Sequence, residues 1–410
     1  MRILVLAPRL PHSRVLSGHR IVYQRLRRLI DRGHEIGLAC FARPEERAAA
    51  VEWSGRLIEL EMLPPPRRRP FPWWRGPAPF CDWSSPEMSR RVGDMVERTR
   101  YHVALAEFSV MGRFLHRNPS LPAVRRVISV HECETVAAGR NAELLGYTWA
   151  GLLERHRRDR LARMEFDIYR SADLTLVLTP QERYHLLRHA PDLHTVVVPS
   201  GVDTLHFRPA ERPCPHDGIV FTGHFMHEQN RDAVRWFLAE VWPRVRKHRP
   251  DLLFYVIGPE PPPDIRDSSW RDPHIVVTGE VDDIRPYLYR SAVYVCPIRK
   301  GSGMRGRLLE AMACGVPVVA TTAAVEGIPV QPGATCVLAD APDIMAEQIE
   351  LLLDDEPRRR QLTQRAREMV RTRFSWNHTV DVLEDVLRDL IGRRTPRAVP
   401  TAAVPALQPG

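Results

Sequence analysis

Residues 299–327 read RKGSGMRGRLLEAMACGVPVVATTAAVEG. Gly301, Ser302 and Gly303 form a small-residue loop, and Met304 to Cys314 carries helix formers with apolar positions at Leu308, Leu309 and Met312. Gly315 and Pro317 end that helix, and Val318 to Thr321 reads as a buried strand. A glycine loop feeding a helix offers an anion unpaired amides and the positive end of the helix dipole. Arg299, Lys300, Arg305 and Arg307 add cations around it, and the forked guanidinium suits phosphate because it binds two oxygens at once. Glu310 lies one helical turn after Arg307 and shares its face. Its carboxylate can accept hydrogen bonds from a pair of sugar hydroxyls. Taken alone, the stretch fits a βαβ crossover with a solvated basic turn equally well.

Outward from this stretch, the 410-residue length implies two domains, or three small ones. A hydrophobic content of 44% is ordinary for a globular chain. No run is long enough to span a bilayer, and Met1 to Pro8 reads as a short strand rather than a signal peptide. The seven cysteines are scattered with no C-x-x-C pair. This spacing argues for a reducing cytosol and against a disulfide framework or zinc site. The net charge of +9 admits nucleic acid, an anionic membrane or phosphorylated substrates as partners. No helix-turn-helix, zinc-finger or RNA-recognition motif is present, which argues against nucleic acid.

The first half opens with a strand at Arg2 to Ala7, a loop to Ser17, a helix from Gly18 to Asp31, and a strand at Glu35 to Phe41. Val22, Leu26, Leu29 and Ile30 share the inner helix face, and Gly33 sits where a helix commonly ends. This order begins a doubly wound sheet. Leu57 to Leu63 is a third strand. Pro64 to Cys81 contains PPPRRRPFPWWRG, whose prolines exclude regular helix. Its tryptophans either pack on the domain's own surface or face a partner. Ser84 to Glu87 reads as a helix start with a capping box. Val103 to Phe108 and Arg126 to Val130 are strands, and His131 follows the second directly, where open α/β sheets bind ligands. A capping or core histidine is the alternative. Glu132 and Glu134 are nearby carboxylates. Ala150 to Ala172 reads as an amphipathic helix with Leu152, Leu153, Leu161, Met164 and Ile168 on its apolar side and a solvated basic face. Leu174 to Leu178 and Thr195 to Val198 are further buried strands.

Pro209 to Asp217 reads as a proline-containing linker, after which the pattern restarts. Gly218 to Thr222 is a strand and Gly223-His224 a turn. A helix runs from about Asn230 through Arg246, and Leu252 to Ile257 and His274 to Thr278 are strands. A short helix at Asp283 to Arg290 and a strand at Val293 to Pro297 lead into the opening stretch. Ala341 to Leu353, Arg358 to Arg373 and Trp376 to Ile391 are helices, and Gly392 to Gly410 has the composition of a disordered tail.

LLEAMACGVPVVAT followed by EG resembles the donor-site signature of GT-B glycosyltransferases, specifically glycosyltransferase family 4. VVVPSGVDTLHFRP resembles the hinge stretch of that family, with Ser200 replacing its usual Asn, and the likeness runs from Arg2 to about Leu390. The first glutamate of the family's pair would fall at Ser302, and the loop has instead the Gly-Ser-Gly-x-Arg form of some members. The resemblance implies an α/β, GT-B architecture of two Rossmann-like doubly wound parallel-sheet domains facing a cleft. Residues 1–208 would face the acceptor and 209–375 bind the nucleotide sugar. A helix over 376–392 would return to the first domain, and 393–410 would form the tail.

The same resemblance implies the site. Glu310 would hold the nucleotide ribose, Arg305 and Arg307 would face the diphosphate, and His131 would face the transferred sugar; His131, Arg305 and Glu310 form the catalytic set. Donor-binding positions would be Gly18, Gly223, Glu280, Val281, Gly301, Ser302, Gly303 and Arg307, with Gly279-Glu280-Val281 framing the nucleobase. The expected activity is retaining hexosyl transfer from a UDP- or GDP-linked sugar to a glycan or polyprenyl-linked acceptor in cell-surface or exopolysaccharide synthesis. No further cofactor is expected. No metal is expected either, since the chain has no D-x-D triplet. Arg67, Arg68, Arg69, Trp73, Trp74 and Arg75 suggest peripheral contact with the inner face of the cell membrane. Two other readings are a nucleotide-sugar epimerase of GT-B-like fold and a non-catalytic nucleotide-sugar binder. Ser302 and a first loop reduced to Gly18 suggest the second.

Overall fold

The structure is a computed structural model and describes residues 1–392 except 14, 16, 17, 67–79, 81, 137, 140–147, 213, 215 and 301–303. The proline-arginine-tryptophan loop, the Gly301–Gly303 loop and the 393–410 tail therefore lie outside the described residues.

Two parallel sheets carry the chain. The first has seven strands: β1 (Arg2–Ala7), β2 (Glu35–Phe41), β3 (Glu59–Leu63), β4 (Val103–Glu107), β5 (Arg125–Val130), β6 (Leu174–Val177) and β7 (Thr195–Val197), in the order β3-β2-β1-β4-β5-β6-β7. The second has six: β8 (Gly218–Thr222), β9 (Leu253–Ile257), β10 (Ile275–Gly279), β11 (Ser291–Cys296), β12 (Val318–Ala320) and β13 (Val337–Leu338), in the order β10-β9-β8-β11-β12-β13. Every strand pair is parallel. Parallel strands need helical crossovers on both faces, which explains why β1, β4 and β11 are apolar runs without polar alternation. The GT-B architecture read from the sequence is the observed one.

α1 (Gly18–Asp31) covers β1 and buries Val22, Leu26 and Leu29, and Gly33 ends it with a left-handed φ of 78°. Three of the helices read from the sequence differ in the structure. α2 (Pro86–Thr99) is capped by Ser85, whose hydroxyl accepts from the Met88 amide, not by Ser84. Proline favours the first helical position, so the cap falls on the residue just before it. α3 (Trp149–Arg170) buries Leu161 and Ile168, but Leu152 and Leu153 are exposed, so only its later turns face the sheet. The helix expected from Asn230 through Arg246 is two: α4 (Glu228–Trp236) and α5 (Trp242–His248), joined by a π turn at Phe237–Val241. Pro243 has no amide for the carbonyl one turn back, and the helix widens there.

The chain crosses between the sheets twice, and the two crossings are bonded together. The Val202 amide donates to the Phe374 carbonyl (2.6 Å) and the Trp376 amide to the Val202 carbonyl (3.3 Å). Gly201 permits this, because a Cβ there would lie 2.5 Å from the Trp376 ring. After the second crossing, α6 (Trp376–Gly392) returns to the first sheet. Its Val380, Leu383, Leu387 and Leu390 are buried in one core with Val22, Leu26 and Leu29 of α1. Each such side chain contributes on the order of 1.5–3 kcal/mol.

α6 is also held by charge. Arg32 and His34 both bond the Glu384 carboxylate. Burial opposes ionisation of Glu384, but the bonds from His34 and Arg32 outweigh it and hold the group below its ordinary value. Glu384→Gln should lower stability by about 2 kcal/mol, read as a lower denaturant midpoint at neutral pH. Because the folded-state value is depressed, the contribution is complete above the usual carboxylate range and disappears as acid protonates the group. The gap between wild type and variant should therefore close on acidification. A gap unchanged at low pH would assign the loss to packing rather than charge.

Candidate active site

The carboxyl ends of both sheets face one cleft of about 940 Å³. Parallel α/β sheets place ligands there because loops after the strands converge and helix N-termini point inward. The eight described candidates all line this cleft: Gly18 and His131 from the first half, and Gly223, Glu280, Val281, Arg305, Arg307 and Glu310 from the second.

On the second-half wall, glycines let the strand ends close up. The Gly223 amide donates to the Ile257 carbonyl and the Gly258 amide to the Gly279 carbonyl, each at 2.9 Å. A Cβ on Gly258 would fall 1.7 Å from the Gly223 carbonyl oxygen, and its φ of 146° is one that side chains rarely adopt. Gly258 lines the cleft and was not singled out from the sequence, although it follows a strand in a Gly-Pro turn.

α7 (Gly306–Ala313) starts at the cleft, with Arg305 preceding its first turn. Glu310 is buried on this helix and accepts from Nη1 of Arg307 at 2.8 Å. The nearby carboxylate raises the Arg307 pKa above its ordinary value, so Arg307 remains a cation. Arg20, from α1 of the other half, brings its Nη1 to 3.6 Å from Glu310 Oε1, so an ion pair spans the cleft. Arg20 was not foreseen. Arg299 and Lys300, expected around the anion site, do not line the cleft: both pair with Asp232 of α4, and Arg299 lies over the Trp236 ring. A carboxylate 67 residues before Arg299 in the chain claims them.

On the first-half wall, His131 stacks on Phe108 with ring centroids 4.0 Å apart. Phe108 follows β4 with φ 70°, a strained backbone for a residue with a side chain. Gly18 is needed here because a Cβ would lie 2.9 Å from Phe108 Cζ and 3.1 Å from His131 Nδ1. The Nε2 of His131 lies 2.7 Å from Oε2 of the buried Glu107. Burial pushes His131 below the usual imidazole value, and Arg25 adds to this against the pull of Glu107. Burial alone would raise Glu107, but Arg25 and His131 hold it at about 2. The turn after His131 is pinned by Glu165, which accepts from the Glu134 and Thr135 amides at 3.0 and 2.8 Å. Glu132 and Glu134 are not among the residues lining the cleft.

The wall with Glu310, Arg305 and Arg307 can take an anion and a diol. The opposite wall presents a neutral imidazole. Residues 18–205 match the family model described as Glycosyltransferase Family 4, and residues 216–355 match Glycosyl transferases group 1. A D-inositol 3-phosphate glycosyltransferase of Corynebacterium diphtheriae is 28% identical over 63% of this chain and 65% of its own length. A phosphatidyl-myo-inositol mannosyltransferase of Mycobacterium tuberculosis is 32% identical over 31% of this chain and 34% of its own. The chain thus spans less than two thirds of either relative. Among solved structures, sucrose-phosphate synthase from Thermosynechococcus elongatus has a TM-score of 0.72 at 18% identity, covering 95% of this chain and 98% of that one. HepE from Anabaena, solved in complex with UDP-glucose, has a TM-score of 0.64 at 14% identity, covering 95% and 100%. The two family models, the paired parallel sheets and the shared fold lead to one conclusion: the chain belongs to the glycosyltransferases of family 4, group 1, with the GT-B fold.

Proposed function

We propose that the protein is a retaining, metal-independent hexosyltransferase, moving a sugar from a UDP- or GDP-linked donor to a glycan or lipid-linked saccharide in cell-surface or exopolysaccharide synthesis. The observation that carries this reading is the cleft itself, with Glu310, Arg305 and Arg307 on one wall and His131 on the other. Glu310 accepts the ribose hydroxyls. Gly279, Glu280 and Val281 frame the base. Arg305, Arg307 and the first amides of α7 take the charge that grows on the leaving diphosphate. His131 meets the transferred sugar. No carboxylate is assigned as a nucleophile, which fits a front-face route to retention. The absence of D-x-D from the sequence and the basic approach to α7 support metal independence.

The acceptor reading draws on two stretches. Arg67, Arg68, Arg69, Trp73, Trp74 and Arg75 form one basic, aromatic run. Trp149 and Leu153, 89% and 70% exposed, stand at the start of α3, ahead of Arg157, Arg158 and Arg163. Tryptophan favours the membrane interface, and each nearby basic residue adds about 1 kcal/mol on an anionic surface. No helix among the described residues is long and apolar enough to cross a membrane. The proposed contact is therefore peripheral, on the cytoplasmic side, with a lipid-linked acceptor.

Three outcomes are expected. Arg305→Ala and Arg307→Ala should each weaken UDP or GDP binding by about 1.5–3 kcal/mol, and Glu310→Gln should weaken it as well. Calorimetry on folded variants measures this; unchanged affinity in all three returns the stretch to a plain crossover. Sugar transfer should survive excess chelator, and activity that needs added magnesium or manganese refutes metal independence. A donor consumed without any acceptor points instead to an epimerase, and binding with no turnover across acceptors to a non-catalytic binder. Finally, wild type should sediment with anionic vesicles at low salt and be released at high salt. Variants replacing either Trp73, Trp74 and Arg67 to Arg69, or Trp149 and Leu153, should stay more in solution. A wild type that ignores such vesicles makes a soluble acceptor the better reading.

A further inference from the structure

Behind His131 runs a line of buried polar groups. Arg25 of α1 and Glu107 at the end of β4 are each 1% exposed. Arg25 Nη1 lies 3.2 and 3.3 Å from the two Glu107 oxygens and donates to Ser129 Oγ at 2.9 Å, while Nη2 donates to the Val198 carbonyl at 3.2 Å. A guanidinium keeps its proton in proteins, and a buried cation needs a matching anion, so Glu107 is a carboxylate. An ionised carboxylate only accepts hydrogen bonds. The 2.7 Å contact from His131 Nε2 to Glu107 Oε2 is therefore a donation by the ring. A neutral imidazole has one proton, which leaves a lone pair on Nδ1. That atom is buried, has no hydrogen-bond partner among the described residues, and faces Gly18 at the cleft.

We propose that Glu107, clamped by Arg25, is a positioning residue: it fixes His131 as the Nε2–H tautomer, so that Nδ1 meets the cleft as a hydrogen-bond acceptor for a sugar hydroxyl. His131 then receives a hydroxyl proton in a hydrogen bond and does not donate to the leaving phosphate. Phe108 holds the ring plane by stacking, and the backbone of Gly18 packs against the Nδ1 edge, so a sugar hydroxyl reaches Nδ1 only when the start of α1 moves aside. The logic is that of a buried carboxylate selecting the histidine tautomer in a catalytic triad, with no nucleophile attached. The inference rests on reading the cleft as a sugar-donor site, but its first test does not.

Long-range proton–nitrogen NMR on wild type with labelled histidine reads the tautomer directly, with His131 assigned by the signals lost in His131→Ala. Expected are a protonated Nε2 and a bare Nδ1 at neutral pH. The opposite tautomer, or a doubly protonated ring, overturns the proposal. In Glu107→Gln, Arg25 takes the amide oxygen and the amide NH2 donates to Nε2, so the proton moves to Nδ1. Turnover should fall by about 10²-fold or more while nucleotide affinity and donor KM stay within about twofold. A folded variant that keeps both the wild-type tautomer and wild-type kcat overturns the proposal too. If Glu107→Gln leaves Arg25 unmatched and does not fold, Arg25→Gln with Glu107→Gln removes both charges and is scored by the same two readouts. A wild type that turns over no sugar donor refutes the transferase reading, and the tautomer result still decides the role of Glu107.

Discussion

The pairing of Arg25 with Glu107 sets the position of almost everything on the first-half side of the cleft. Taking two charges out of water costs several kcal/mol per ion unless geometry and extra hydrogen bonds compensate. Here the compensation comes from α1, β4, Ser129 of β5 and the Val198 carbonyl past β7, so four segments are tied to one point. That point fixes how deep and at what rotation α1 lies on the sheet. Gly18 at its start then reaches Phe108 and His131, and Arg20 reaches across the cleft. At its far end, Arg32 reaches Glu384 of α6. Fold and site are thus joined through a single helix.

The two halves touch at more than their crossings. Gly327, with φ 83°, lies where a Cβ would sit 2.6 Å from Thr179 Cγ2, so the loop after β12 rests on the first half because it has no side chain there. Arg20 and Arg307 both attend Glu310. The Arg20 pair is partly exposed and long at 3.6 Å, and such pairs contribute at most about 1 kcal/mol. A ligand that takes both Glu310 oxygens displaces Arg20, and it does so against a weak hold. The dry pair at Glu107 and the wet pair at Glu310 therefore behave differently although both join an arginine of α1 to a glutamate.

Much of this was legible in the chain. Strands buried on both faces announce themselves as apolar runs, and the alternation of strand, loop and helix from Arg2 and again from Gly218 gives the two sheets. Gly301 to Gly327 carries the family resemblance because a run of small residues, a helix start and a carboxylate one turn later are adjacent in sequence. What escaped reading depends on distant partners. Arg25 stands among Val22, Leu26 and Leu29 and looks like an intruder on an apolar face until Glu107, 82 residues on, is beside it. Arg299 and Lys300 looked like part of a basic ring, but charge in sequence does not say where the nearest carboxylate folds to. Periodicity assigned Leu152 and Leu153 to the inner face of α3, yet it cannot tell how far the sheet extends beneath a helix.

The return of α6 has a consequence for how the molecule is made. The first-half core contains Val380, Leu383, Leu387 and Leu390, so the unit built mainly from residues 2–197 is not contiguous in the chain. The second sheet, closed between Gly218 and Leu338, has all its strands in one run. During synthesis from the N-terminus, the half that emerges first waits with an open apolar face while the half that emerges second can already close. The order of completion on the ribosome is the reverse of the order of translation, and Val22, Leu26 and Leu29 need shelter until residue 390 has been made.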